Sequence, residues 1–144
     1  MRAPTCRIST MIIDANLATY WYVPSPFSGS ASTYIGRIDL AAPQIVMPEA
    51  ANALLKYMRA GQISADVLFT AIDHIPKVIT TLIDDASLTE SAARLALAHN
   101  HKIYDCLYLA LALQRGEPLA TADRRMATLA RQLSIEIELV EPDP

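Results

Sequence analysis

The sequence predicts an α/β fold: a three-layer α/β/α sandwich in which helices cover both faces of a central, mainly parallel sheet. Three observations lead there. Short runs of strand length and composition, Met11-Ile12-Ile13, Val78 to Ile83, Pro118 to Thr121 and Ile135 to Val140, recur along the chain. Helical patterns separate them, and such crossovers are what parallel neighbours require. Finally, Cys106 to Gln114 is apolar almost all round, which suits a central, buried helix.

The elements follow in order. Ala15 to Val23 is helical and stops at the Pro24-Ser25-Pro26 break. Ser30 to Ile38 is expected to form a second helix. Ala51, Leu54, Leu55 and Met58 fall at i, i+3, i+4 and i+7, and Gly61 supplies a C-terminal stop. Pro48 either begins this helix or kinks one that starts near Pro43. Ser64 caps a helix through Ile75 that Pro76 ends. Ser87-Leu88-Thr89-Glu90 has the form of a capping box opening Ala92 to His99, which Asn100 closes in the left-handed conformation. Asp105 is expected to open the buried helix and Gly116 to end it. Arg124 to Leu133 is the last helix.

A chain of 144 residues is the size of one domain, residues 1–144, with Met1 to Thr10 as a flexible or additional N-terminal segment. It does not read as a secretory signal, and no apolar stretch reaches the eighteen residues of a membrane span. Cys6 and Cys106 are too few and too far apart for a disulfide framework or metal motif; two reduced thiols point to the cytoplasm. A formal net charge of −3 excludes a protein that holds nucleic acid by bulk positive charge.

Of fifteen acidic residues, four adjoin apolar runs. Asp14 follows Met-Ile-Ile, Glu49 follows Ile-Val-Met-Pro, Asp105 precedes Cys-Leu-Tyr-Leu, and Asp123 follows Leu-Ala-Thr-Ala. A buried carboxylate is costly unless it is paired or bound to a cation. Taken singly, Asp14, Asp105 and Asp123 read first as helix caps, and Glu49 reads equally well as part of a solvated helix face. Parallel α/β topology favours another reading, because strand C-termini and helix N-termini converge on one edge of the sheet. Carboxylates gathered there repel one another without a cation, and hard divalent ions such as Mg2+ or Mn2+ suit oxygen ligands. Two such ions can activate water and stabilise the leaving oxygen in phosphodiester hydrolysis.

The segments Ile12-Ile13-Asp14, Ala42-Pro43 leading to Glu49-Ala-Ala-Asn52-Ala-Leu54, Tyr104-Asp105-Cys-Leu-Tyr108 and Leu119-Ala-Thr121-Ala-Asp123-Arg-Arg-Met together resemble the PIN domain. Within that family they resemble the VapC-type toxins of bacterial type II toxin–antitoxin pairs. The resemblance runs from about Met11 to Val140. It implies a metal-dependent endoribonuclease using Mg2+ or Mn2+, with Asp14, Glu49, Asp105 and Asp123 as the catalytic and metal-holding acids. It also implies an RNA substrate, a small cognate antitoxin and a homodimer. Asn16 departs from the Ser or Thr that such toxins often carry two residues after the first Asp.

Weaker candidates for substrate contact or support of the acids are Asn16, Asn52, Thr121, Arg124 and Arg125. Asn52 shares a helix face with Glu49, and the two arginines directly follow Asp123. Lys56, Arg59, Lys102 and Arg115 are further possible phosphate contacts, and Tyr20-Trp21-Tyr22 is a possible stacking surface. His74, His99 and His101 show no ligand spacing to one another. The rival readings are a catalytically silent PIN-like interaction scaffold, a receiver-like signalling module and an aspartyl phosphotransferase or phosphatase. The phosphotransferase needs a second Asp where Asn16 stands, and the receiver needs an acidic pair after the first strand.

Overall fold

The computed structural model describes residues 10–144. The elements run β1 (Met11–Ile13), α1 (Ala15–Tyr20), α2 (Ser28–Ser32), β2 (Leu40–Pro43), α3 (Val46–Arg59), α4 (Ala65–Val78), β3 (Thr81–Ile83), a 3-10 turn (Asp85–Ser87), α5 (Thr89–His99), α6 (Ile103–Arg115), β4 (Leu119–Thr121), α7 (Arg124–Gln132) and β5 (Ile137–Leu139). The strands form one five-stranded sheet in the order β3-β2-β1-β4-β5, and every pairing is parallel. The expected α/β/α sandwich is therefore the observed one. Right-handed crossovers put α1 to α4 on one face, because the chain there steps from β1 towards β3. The return from β3 to β4 and on to β5 puts α5 to α7 on the other.

The core lies against the central strands. Ile12, Ile13, Leu40, Ala41, Ala42, Leu119 and Ala120 have no exposed surface. Helix α6 packs on β1, β2 and β4 and buries Cys106 through Ala112 without a break, as its all-round apolar pattern predicts. At its C-terminus Arg115 Nε donates to Thr10 Oγ1, beside the start of β1. Its N-terminus, with Asp105, must then face the opposite edge, where the strands end.

Several elements differ from expectation for identifiable reasons. Strand β2 was not anticipated. Its Leu-Ala-Ala-Pro sequence has little intrinsic strand preference, and only pairing to both β1 and β3 makes it one. The Ser30 to Ile38 helix shrinks to α2, and the chain turns through Gly36 at φ 94°. Pro76 does not end α4. It sits in the last turn, and buried Ile75 and Val78 hold the helix through it. Val78 to Ile83 contains a strand only at Thr81–Ile83, because Val78 belongs to α4.

The capping box is not formed. The Ser87 and Thr89 hydroxyls donate to Asp84 O and Asp85 O in the 3-10 turn, and Leu88 is the N-cap of α5. Nor does Asp105 cap α6. Lys102 occupies that position, and Asp105 lies inside the first turn. Asp14 and Asp123 do cap α1 and α7, and Asn100 closes α5 at φ 49°. The expected Met1 to Thr10 segment lies, apart from Thr10, outside the described residues, as does Cys6. Cys106 is a buried free thiol whose pKa burial pushes up to about 11.

Gly116 ends α6 at φ 63°, and a methyl group added there would meet nothing within 4 Å. The only penalty for Gly116→Ala is thus the left-handed backbone, about 1 kcal/mol. Urea denaturation should show the midpoint falling with an unchanged slope. An unchanged midpoint would mean that the turn relaxes to another conformation.

Candidate active site

Four carboxylates from four separate elements meet at the C-terminal edge of the sheet. Asp14 leaves β1, Glu49 lies in the first turn of α3, Asp105 in the first turn of α6, and Asp123 between β4 and α7. All four line a single small cleft, together with Asn16 and Tyr108. The sheet order places this cleft at its switch point: the chain moves outward from β1 on one side and from β4 on the other, and β1 and β4 are neighbours.

Each acid is held differently. Asp14 is 4% exposed. Its Oδ1 accepts from Leu17 N at 2.9 Å and its Oδ2 from Thr121 Oγ1 at 2.5 Å. Thr121 Oγ1 in turn accepts from Asp123 N at 3.0 Å, so one hydroxyl ties the ends of β1 and β4 together. Burial pushes the Asp14 carboxyl up to about 6; the hydrogen bonds from Thr121 and Leu17 oppose this, and the charges of Asp123 and Asp105 add to it.

Asp123 caps α7 through Oδ1, which accepts from Arg125 N and Met126 N at 2.8 and 3.2 Å. Glu49 Oε1 accepts from the Tyr108 hydroxyl at 2.8 Å. Burial raises the Glu49 pKa, Asp105 and Asp85 raise it further, and Tyr108 and Lys102 oppose them. Burial and Glu49 hold the Tyr108 phenol well above its ordinary range, so it remains a donor at neutral pH. Asp105 Oδ2 lies 2.9 Å from His101 Nε2.

Among the described residues, no Lys or Arg forms a salt bridge with any of these four acids. Nor do three acidic, histidine or cysteine side chains close into a ready chelating group there. The carboxylates line a cleft and do not wrap a point. A model of the PIN domain matches residues 11–132. The chain belongs to the PIN-domain family. It is of the VapC type within it. Ribonuclease VapC1 of Mycobacterium tuberculosis is 35% identical over 100 residues, covering 69% of this chain and 73% of that protein. Ribonuclease VapC3 of Pyrobaculum aerophilum is 29% identical over 120 residues, covering 81% and 92%. Among solved structures, PAE2754 from the same organism superposes with a TM-score of 0.65 at 22% identity, covering 88% of this chain and 90% of that one.

Around the PIN cleft the weaker candidates separate. Asn16, Asn52, Lys56, Lys102 and Tyr104 line an open groove that continues from the acids. Thr121 is fully buried, so it orients Asp14 and is not itself a surface for substrate. Arg124 points to Glu141 at 3.5 Å, whereas Arg125 lines a neighbouring hollow with His99 and His101. Arg115 is removed from the candidates, because its guanidinium bonds Thr10 beside the far edge of the sheet.

The aromatic cluster mainly joins helices. Tyr20 stacks on Phe27, Trp21 Nε1 donates to Ala31 O, and the Tyr22 hydroxyl meets His74 Nδ1. Two residues of the site escaped sequence reasoning. Tyr108 looked like one more apolar member of α6. His101 has no ligand spacing to the other histidines, and its one local signal is the i to i+4 spacing to Asp105.

The pH dependence of folding checks the Asp14 environment. The unfolded chain releases this proton near 3.8 and the folded chain near 6. Within that window the folded state holds a proton that the unfolded state has lost, so stability falls as pH rises. The loss from Asp14 is about 3 kcal/mol and levels off above the window. Urea titrations in chelator should show this fall, and Asp14→Asn should flatten it. Parallel wild-type and mutant curves would place Asp14 in solvent.

Proposed function

We propose that this protein is a metal-dependent endoribonuclease, the toxin of a toxin–antitoxin pair, and that Asp14, Glu49, Asp105 and Asp123 form its catalytic site. The observation that carries the reading is the meeting of four acids, without a salt-bridging Lys or Arg among the described residues, at the switch point of a parallel sheet. A purely structural role would not gather like charges around an aspartate whose carboxyl is already pushed up by burial. The names of the VapC ribonuclease relatives support the same activity.

The donor set suits Mg2+ or Mn2+. All four acids offer oxygen, the ligand of hard cations. Mg2+ keeps several waters and needs only one or two carboxylates, so a cleft without a closed chelating group is compatible with it. The bound cation would supply Lewis-acid activation of water and charge neutralisation at the phosphate.

The rest falls to the chain's own residues. Tyr108 holds Glu49, and Thr121 holds Asp14 while fixing the backbone at Asp123. Asn16, Asn52, Lys56 and Lys102, along the groove, are placed to receive the flanking phosphates of a single strand. Tyr104, more than half exposed beside them, offers a face to a base.

Asp105→Asn tests the assignment most cleanly, since Asp105 caps no helix and the change keeps its size. Incubated with a panel of structured RNAs and Mn2+ or Mg2+, wild type should cleave and the folded variant should lose cleavage by at least ~100-fold. Chelator should abolish the wild-type reaction. Undiminished cleavage by the variant removes Asp105 from the site, and cleavage in chelator removes the metal. Wild type that cuts no RNA with either metal leaves the silent scaffold as the better reading.

The toxin reading adds two partners, a second copy of the chain and a small antitoxin. The antitoxin would lay a helix or tail over the groove and set a basic side chain among the acids, where the negative charge favours it. Where a small reading frame adjoins this one, coexpression with its product should yield a complex that hides this cleft from Mn2+. A complex in which Mn2+ still binds at wild-type affinity would show another mode of inhibition.

A further inference from the structure

We propose that His101 is a positioning residue for the nuclease site: its imidazole fixes the Asp105 carboxylate so that one oxygen is held and the other is left to the cleft. The inference rests on the nuclease reading above and extends it to a residue outside the four acids. His101 Nε2 lies 2.9 Å from Asp105 Oδ2, and the histidine side chain is only 6% exposed. An ionised carboxylate can only accept, so the shared hydrogen belongs to Nε2 whether the ring is neutral or charged.

The backbone around His101 is fixed for this task. Asn100 turns the chain in the left-handed conformation, and His101 N donates to Ala96 O at 3.2 Å. Lys102 then starts α6 in an extended conformation. The sharp turn between α5 and α6 thus swings the ring back onto the first turn of α6, one helical turn from Asp105.

No structural duty competes for the Asp105 carboxylate. It caps no helix, and among the described residues its hydrogen bond is to His101. The other acids have their own holders: Thr121 and Leu17 N for Asp14, Tyr108 for Glu49, and the α7 backbone for Asp123. His101 fills the same role for Asp105. His101 also lines a hollow with Arg125, Thr128 and Gln132.

The test compares His101→Gln, whose amide keeps a donor, with His101→Leu, which keeps bulk and loses the donor. Three measurements are made: Mn2+ affinity of the RNA-free protein by calorimetry, kcat and KM for RNA cleavage, and the melt in chelator. His101→Leu should weaken Mn2+ binding or kcat by ~10- to 100-fold, the usual cost of losing a partner that orients a ligand. KM for RNA should stay within about twofold, since the lost contact is not made to substrate. His101→Gln should recover most of the loss.

On an Asp105→Asn background, His101→Leu should not weaken Mn2+ binding further, because the residue acts through Asp105. Equal behaviour of folded His101→Leu and His101→Gln overturns the inference, as does an undiminished further loss on the Asp105→Asn background. If His101→Leu does not fold, a folded His101→Gln as impaired as Asp105→Asn overturns it, and near-wild-type behaviour upholds the donor role. Wild type that neither binds Mn2+ nor cuts RNA overturns the nuclease reading together with this one; a normal wild type confines any failure to His101.

Discussion

Thr121 ends β4 with no exposed surface, and its hydroxyl donates to Asp14 while accepting from the backbone of Asp123. This one group couples two constraints. Asp14 is buried so deeply that its charged form is disfavoured, and any charge it carries stands near those of Asp123 and Asp105. A hydroxyl and one backbone N–H are its direct compensation. The same hydroxyl fixes the spacing between the ends of β1 and β4, and so the separation of the two acids that follow them. The central strands are only three or four residues long, so the position of this edge depends on what joins their ends.

Helix α6 supplies the complementary half. Buried from Cys106 to Ala112 and tied to Thr10 at one end, it delivers Asp105 at the other. One turn further on, Tyr108 reaches across to Glu49 of α3, from the opposite layer. The acidic cleft is thus closed by both helical layers. Displacing α6 along its axis would disturb Asp105 and Glu49 together. The proximity of four carboxylates is a destabilising feature that the rest of the core must outweigh, and such local conflict is a mark of a functional site.

Capping and site membership turned out not to be alternatives. Asp14 and Asp123 are helix caps and also line the cleft, because helix N-termini and strand C-termini share one edge of a parallel sheet. Asp105 needed the structure to exclude a cap, since Lys102 takes that place. Its actual partner, His101, lies in a turn whose path depends on the packing of α5 against α6.

By itself the sequence determined the α/β class, the identities and order of the four acids, and several helix ends. These are written in local signals: apolar periodicity, Gly116, Asn100, and acids placed beside apolar runs. Tertiary structure alone decided that Leu40–Pro43 is a central strand, because its Ala and Pro residues become strand through pairing on both sides. It also decided that Pro76 stays within α4 and that Arg115 lies away from the site. The holders of the acids were likewise hidden. Tyr108 and Glu49 are 59 residues apart, and Thr121 and Asp14 are 107 apart. No local pattern records which distant donor will meet a carboxylate once the sheet and helices have packed.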